Sequence, residues 1–161
     1  NPIEHPSRSE GKMSQPIRDR VLIADDNEAN VELLEAYLGD SGLDVEIAVA
    51  VDGQDTLEKA ASFKPDLILL DVMMPKLSGF EVCQKLKGDP ATRGIMILMV
   101  TALNEHGDME RAVDAGTDDF LSKPVDKVSL VKRVENMLKL RNVSDELERL
   151  RRYIEQMEAE R

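Results

Sequence analysis

The 161 residues are 42% apolar and 33% charged, a balance that suits a folded domain with short appendages and excludes a long disordered chain. No apolar run approaches the roughly 20 residues that cross a bilayer, and the start carries no secretory signal, so no membrane segment is expected. The net charge of −11 lies in residues 18–138, which hold 13 Lys/Arg against 24 Asp/Glu; such a surface repels phosphates, so direct nucleic-acid binding is not expected.

Residues 1–17 (NPIEHPSRSEGKMSQPI) carry three prolines and no periodicity, which predicts a flexible lead-in. Met13 is a candidate natural start within it. From Arg20 onward strands alternate with helices. RVLIA (20–24) is a continuous apolar run with the length of a strand buried on both faces. Val31, Leu34 and Leu38 then mark an amphipathic helix closed by Gly39 and Gly42. VEIAV (45–49) alternates as an edge strand does, and Asp52-Gly53 opens a helix with Leu57, Ala60 and Ala61 inward. LILL (67–70) is a second buried strand. Val82 and Leu86 mark the third helix, ended by Gly88-Asp89-Pro90. IMILMV (95–100) is another buried strand, followed by a helix with Met109, Ala112 and Val113 inward and closed by Gly116. FL (120–121) is a short last strand, and Leu130, Val131, Val134 and Leu138 mark the fifth helix. Five strands alternating with five helices predict an α/β fold with a parallel sheet covered on both faces.

The lone cysteine, Cys83, has no His or Cys at ligand spacing and reads as a core or half-buried helix residue. One cysteine forms no internal disulfide, which fits a reducing cytoplasm. His5 and His106 sit in polar surroundings and take no catalytic role.

In open α/β sheets ligands bind beyond the carboxyl ends of the strands. Here the first strand ends in Asp25-Asp26, the third in Asp71, the fourth in Thr101-Ala102, and the fifth leads to Lys123-Pro124. Three carboxylates, a hydroxyl and an ammonium therefore converge on one edge. Neighbouring carboxylates repel, and a divalent cation removes the conflict. Mg2+ takes oxygen ligands, keeps waters, and completes its shell with phosphate oxygens. With Lys123 and Thr101 beside it, this set is what an aspartate needs to attack phosphorus.

The motifs VLIADDNEAN, LILLDVMMPKLSGFEVC, MVTAL and DDFLSKP, in this order and at these spacings, resemble the receiver domain of bacterial two-component response regulators over about residues 20–138. The resemblance implies a flavodoxin-like, doubly wound five-stranded sheet of order 2-1-3-4-5. It implies that Asp71 is the phosphoacceptor, taking its phosphoryl group from a sensor histidine kinase, a phosphotransfer protein or a small donor such as acetyl phosphate. Asp26, Asp71 and the backbone carbonyl of Met73 would hold Mg2+ directly, and Asp25 through water. Lys123 would pair with phosphate, Thr101 would be the switch hydroxyl, and Phe120 the switch aromatic. The Lys123-Pro124 bond is expected to be cis. Met73 and Leu103 occupy the two positions that tune phosphoryl lifetime; both are apolar, so self-hydrolysis is expected to be slow. Beyond this self-catalysed acceptance and hydrolysis, no enzyme activity is expected of these residues.

Each residue taken alone has a plainer meaning. Asp25-Asp26 before a helix also read as caps, Thr101 as a structural hydroxyl, Phe120 as core and Lys123 as a solvated charge. Other chemistries on this topology fit less well. Aspartate-nucleophile phosphatases need a second acid two residues after the nucleophile, where Met73 stands. A flavin-mononucleotide binder needs a phosphate loop where DDNEAN stands, and a structural pseudo-receiver would have lost the acceptor or the lysine.

From Leu140 the apolar residues fall at 140, 143, 147, 150, 154 and 157, alternating steps of three and four that describe a heptad seam. With 140, 147 and 154 as a positions, Glu146 (g) faces Arg151 (e) across a parallel dimer. No Pro or Gly interrupts residues 125–161, so the last helix is expected to run into this tail. The expected organisation is thus a lead-in (1–17), a receiver (18–138) and a helical coiled-coil extension (139–161) that forms a homodimer. DVMMP, KGDPATR and TAL resemble receivers of the diguanylate-cyclase type, although no GGDEF-like sequence occurs here. Two readings stay open: a piece that controls an output domain, or a stand-alone regulator or phosphorelay intermediate acting by protein–protein contact.

Overall fold

The computed structural model describes residues 18–102 and 107–160; the expected lead-in and Leu103 lie outside them. The elements are β1 (Asp19–Ala24), α1 (Glu28–Gly39), β2 (Val45–Ala50), α2 (Gly53–Ser62), β3 (Leu67–Leu70), α3 (Gly79–Gly88), β4 (Met96–Thr101), α4 (Asp108–Ala115), β5 (Asp119–Ser122) and α5 (Lys127–Ala159). All strand pairs are parallel and the order is β2-β1-β3-β4-β5, as expected.

The three central strands are buried because their runs are apolar on both faces: every residue of β3 is covered, as are Val21–Ala24 and Ile97–Val100. One face packs Leu22, Ile68, Leu70, Ile97 and Met99 against α2, α3 and α4. The other packs Val21, Ile23, Leu67, Leu69 and Leu98 against α1 and α5. Cys83 belongs to the first core, and burial pushes its thiol up to about 11.

Two helices turn differently from their sequence pattern. In α2 Thr56 is buried and Ala61 exposed; the Thr56 hydroxyl satisfies itself by donating to the Asp52 carbonyl at 2.7 Å. In α4 the inward residues are Ala112 and Ala115, while Met109 and Val113 face outward. Small side chains there let the helix lie close to the sheet.

Helix ends follow capping chemistry. Asn27, Asp52, Ser78 and Asp126 accept from the third backbone N–H beyond them, and Ser78 with Glu81 completes a reciprocal capping box. The cap of α1 is therefore Asn27, which releases Asp25 and Asp26 from that duty. No break separates the fifth helix of the sheet layer from the tail: α5 continues for 33 residues, about 50 Å. Leu130, Val134, Met137 and Leu138 are buried, whereas the seam residues from Leu140 to Met157 are 48–61% exposed. No described helix is long and apolar enough to cross a membrane.

Candidate phosphoryl-acceptor site

The sheet's hydrogen-bond ladder continues past the strand ends and sets the site. Asp25 N–H donates to the Ala50 carbonyl (3.1 Å), Asp71 N–H to Ala24 (2.9 Å) and Lys123 N–H to Thr101 (3.0 Å). Asp25, Asp71 and Lys123 are thus fixed at the backbone, each one position beyond a strand. The Lys123-Pro124 bond is cis, as expected.

The side chains converge. One carboxylate oxygen each from Asp25, Asp26 and Asp71 lies within 4.8 Å of the others. Lys123 Nζ sits 3.2 Å from Asp25 Oδ2 and 3.5 Å from Asp71 Oδ2, bridging the two buried acids. Asn27 N–H donates to Asp25 Oδ1 at 2.9 Å and Met73 N–H to Asp71 Oδ1 at 3.4 Å. Asp25 and Asp71 are 3% and 6% exposed, Thr101 1%, and Asp26 opens to solvent. Phe120 is half-buried against the first core.

Burial raises the Asp71 carboxyl above the usual carboxylate range, against the lowering pull of the Lys123 ammonium and a hydrogen bond from Thr101; the Asp25 charge adds to the rise. Such a carboxylate is poorly neutralised by its surroundings. The donor set, three carboxylates of which two share one lysine at a solvent-facing edge, fits a hard divalent cation such as Mg2+.

Two glycines brace Asp71, a task that local sequence pattern does not disclose. A Cβ on Gly79 would lie 2.4 Å from the Asp71 carbonyl oxygen, because α3 begins flush against the Asp71 backbone. A Cβ on Gly53 would meet Leu77 at the same distance, where α2 supports the β3–α3 loop. A further residue lies at the mouth. Arg111 stands over the Phe80 ring with its guanidinium carbon 4.2 Å from the centroid. It shares with Asp26, Met73 and Met74 a surface cavity of about 480 Å3.

A family profile of the response regulator receiver domain matches residues 21–135. Response regulator PleD of Caulobacter vibrioides is 48% identical over 128 residues, covering 80% of this chain but 28% of that protein. The DNA-binding dual master transcriptional regulator RpaA of Synechocystis is 42% identical over 120 residues, covering 74% of this chain and 49% of that protein. The chain therefore spans less than half the length of these curated relatives. Among solved structures, a putative response regulator from Chloroflexus aurantiacus superposes with a TM-score of 0.71 at 32% identity, covering 76% of this chain and 99% of that one. The receiver domain of sensor histidine kinase PA1611 from Pseudomonas aeruginosa, described with magnesium in its active-site cleft, superposes at 0.69 with 26% identity, covering 76% and 99%.

Proposed function

Because this chain belongs to the family of response regulator receiver domains, we propose that Asp71 accepts a phosphoryl group from a histidine kinase, a phosphotransfer protein or a small acyl phosphate. The observation that carries this reading is the Lys123 ammonium bridging two buried carboxylates beside a third. A cation so placed holds the Asp71 oxygen in position before transfer and pairs with phosphate oxygen afterwards. Asp25, Asp26, Asp71 and the Met73 carbonyl would hold Mg2+, Asp25 through water; when bound, the ion offsets charge on the transferring group. Thr101 is a buried hydroxyl within reach of Asp71, and donates to the new phosphate. Phe120, half-buried next to β4, follows Thr101 as it moves, which biases a pre-existing equilibrium between two forms of the α4–β5–α5 face.

That face leads into the tail. The receiver spans 18–138 and the helix beyond it, 139–161, is a dimer element whose geometry is the readout. Support comes from α5 being one uninterrupted helix and from six apolar seam residues facing solvent. The domain works in the cytoplasm, and any output activity belongs to another domain or partner.

Incubation with Mg2+ and acetyl phosphate or beryllofluoride, followed by mass and sizing measurements, tests both parts. One phosphoryl group on the parent and none on Asp71→Asn is expected; equal labelling of the two sinks the acceptor assignment. Deletion of 140–161 is expected to leave a monomer; an unchanged dimer sinks the tail's role.

A further inference from the structure

Among the described residues at the mouth of the site, the acceptor reading leaves Arg111 without a task. Arg111 lies in the first turn of α4, and its guanidinium is held against the face of Phe80 at 4.2 Å. Phe80 is buried at the start of α3, so the stack has a fixed platform. Arginine suits such a place because its planar cation is weakly hydrated and stacks without losing its donors. The cavity beside it is lined by Asp26, Met73, Met74, Pro75 and Phe80, and Asp26 also belongs to the carboxylate cluster. Cavity and cluster thus share a wall. At about 480 Å3 it has room for a small phosphorylated molecule.

Charge explains why a cation here matters. The chain carries −11, and Lys123 is already engaged by Asp25 and Asp71. A phosphoryl donor is itself an anion and approaches against that field. We propose that Arg111 is a donor-selecting residue, whose stacked guanidinium contacts anionic phosphoryl donors at the mouth and favours them according to their negative charge. The proposal rests on Asp71 being the acceptor. The chemical step is left to the acids and Lys123: an Asp71 oxygen bonds to phosphorus, the bond from phosphorus to the acyl oxygen breaks, and acetate departs with the electron pair. With phosphoramidate the phosphorus–nitrogen bond breaks instead, and the already protonated nitrogen leaves as ammonia. Arg111 acts before either bond changes.

Acetyl phosphate is dianionic at neutral pH, whereas zwitterionic phosphoramidate carries a single net negative charge, so the pair reads charge selection directly. Labelling rates on the full chain with Mg2+ at low salt, across donor concentrations, are compared for the parent, Arg111→Met and Arg111→Lys. Methionine keeps an apolar side chain on Phe80 while removing the charge; lysine keeps the charge. The expected result for Arg111→Met is about a fivefold lower second-order rate with acetyl phosphate and an unchanged rate at saturation. With phosphoramidate the loss should stay under about twofold, lysine should restore most of the acetyl phosphate rate, and added salt should shrink the difference. Equal loss with both donors, a loss confined to the saturated rate, or no loss overturns the role of Arg111. Absence of label on the parent with either donor overturns the acceptor reading, and this proposal with it. Thermal melts of each variant identify a folding defect, and a folded Arg111→Lys that loses donor preference equally counts against the proposal.

Discussion

The two ends of the same sheet use similar ingredients for opposite purposes. At the carboxyl edge Asp25 and Asp71 are buried, one ammonium serves both, and Asp71 is held above its ordinary range. At the amino edge the acids are Asp19 and Asp66, and they face groups from the tail. Asp66 takes the Arg20 backbone N–H at 2.9 Å and lies 3.7 Å from Arg141 Nε, while Asn142 Nδ2 donates to Asp19 at 3.5 Å. Arg141 also pairs with Asp145 at 3.0 Å and packs against Gly94. Here burial and the neighbouring Asp66 and Asp44 charges also raise Asp19, against the Asn142 hydrogen bond. But the acids are partly solvated and each takes a group from the tail, which fastens it to the strand starts. Two buried acids sharing one ammonium suit the proposed reaction; partly solvated acids, each with its own partner from the tail, make a clasp.

The largest test of that contrast is Lys123→Ala. Removing the shared cation should lower the phosphorylation rate about hundredfold, measured by labelling at saturating donor. In metal-free buffer it should also cost about 2 kcal/mol in denaturant unfolding, because two buried acids lose their partner. Mg2+ at ten times its dissociation constant should return about 1.4 kcal/mol to the metal-free variant. A lysine variant that labels normally would show that the carboxyl edge is only another clasp.

Arg141→Ala should cost about 1 kcal/mol, fading at high salt, with no change in labelling rate. A large labelling defect in this variant would instead join the two edges into one device.

Asp71→Asn is the smallest stability effect and has a definite sign. With its folded value raised, ionised Asp71 burdens the metal-free fold at neutral pH. That burden disappears as pH falls through the raised value, where the folded state takes up a proton ahead of the unfolded chain. The variant should therefore melt a few degrees higher near neutrality, and the difference should narrow toward about pH 4. A lower melting point would mean that the Lys123 pairing outweighs desolvation.

Much of this was legible along the chain, for reasons tied to particular residues. Buried parallel strands cannot alternate, so RVLIA, LILL and IMILMV announce themselves, with Asp25 and Asp71 standing directly after the first two runs and Thr101 after the third. β5 reads short in sequence because Asp119 and Ser122 flank its two apolar residues; Asp119 is held by Arg133 at 2.6 Å, a partner fourteen residues away. The same limit hid the stack of Arg111 on Phe80, the clasp of Arg141, and the tasks of Gly53 and Gly79. Each depends on what another element brings alongside, and local periodicity carries no record of that. Asn27 was in plain view, yet the adjoining acids drew the capping role in its place.

The unbroken α5 has a mechanical consequence. The 21 helical residues 139–159 run as a rod past the last buried residue, Leu138, for about 32 Å. Pivoting that rod by five degrees at its root sweeps the free end through roughly 3 Å, comparable to half a helical turn. Leverage of this kind lets a sub-ångström adjustment among packed side chains arrive at a distant contact as a displacement of several ångströms.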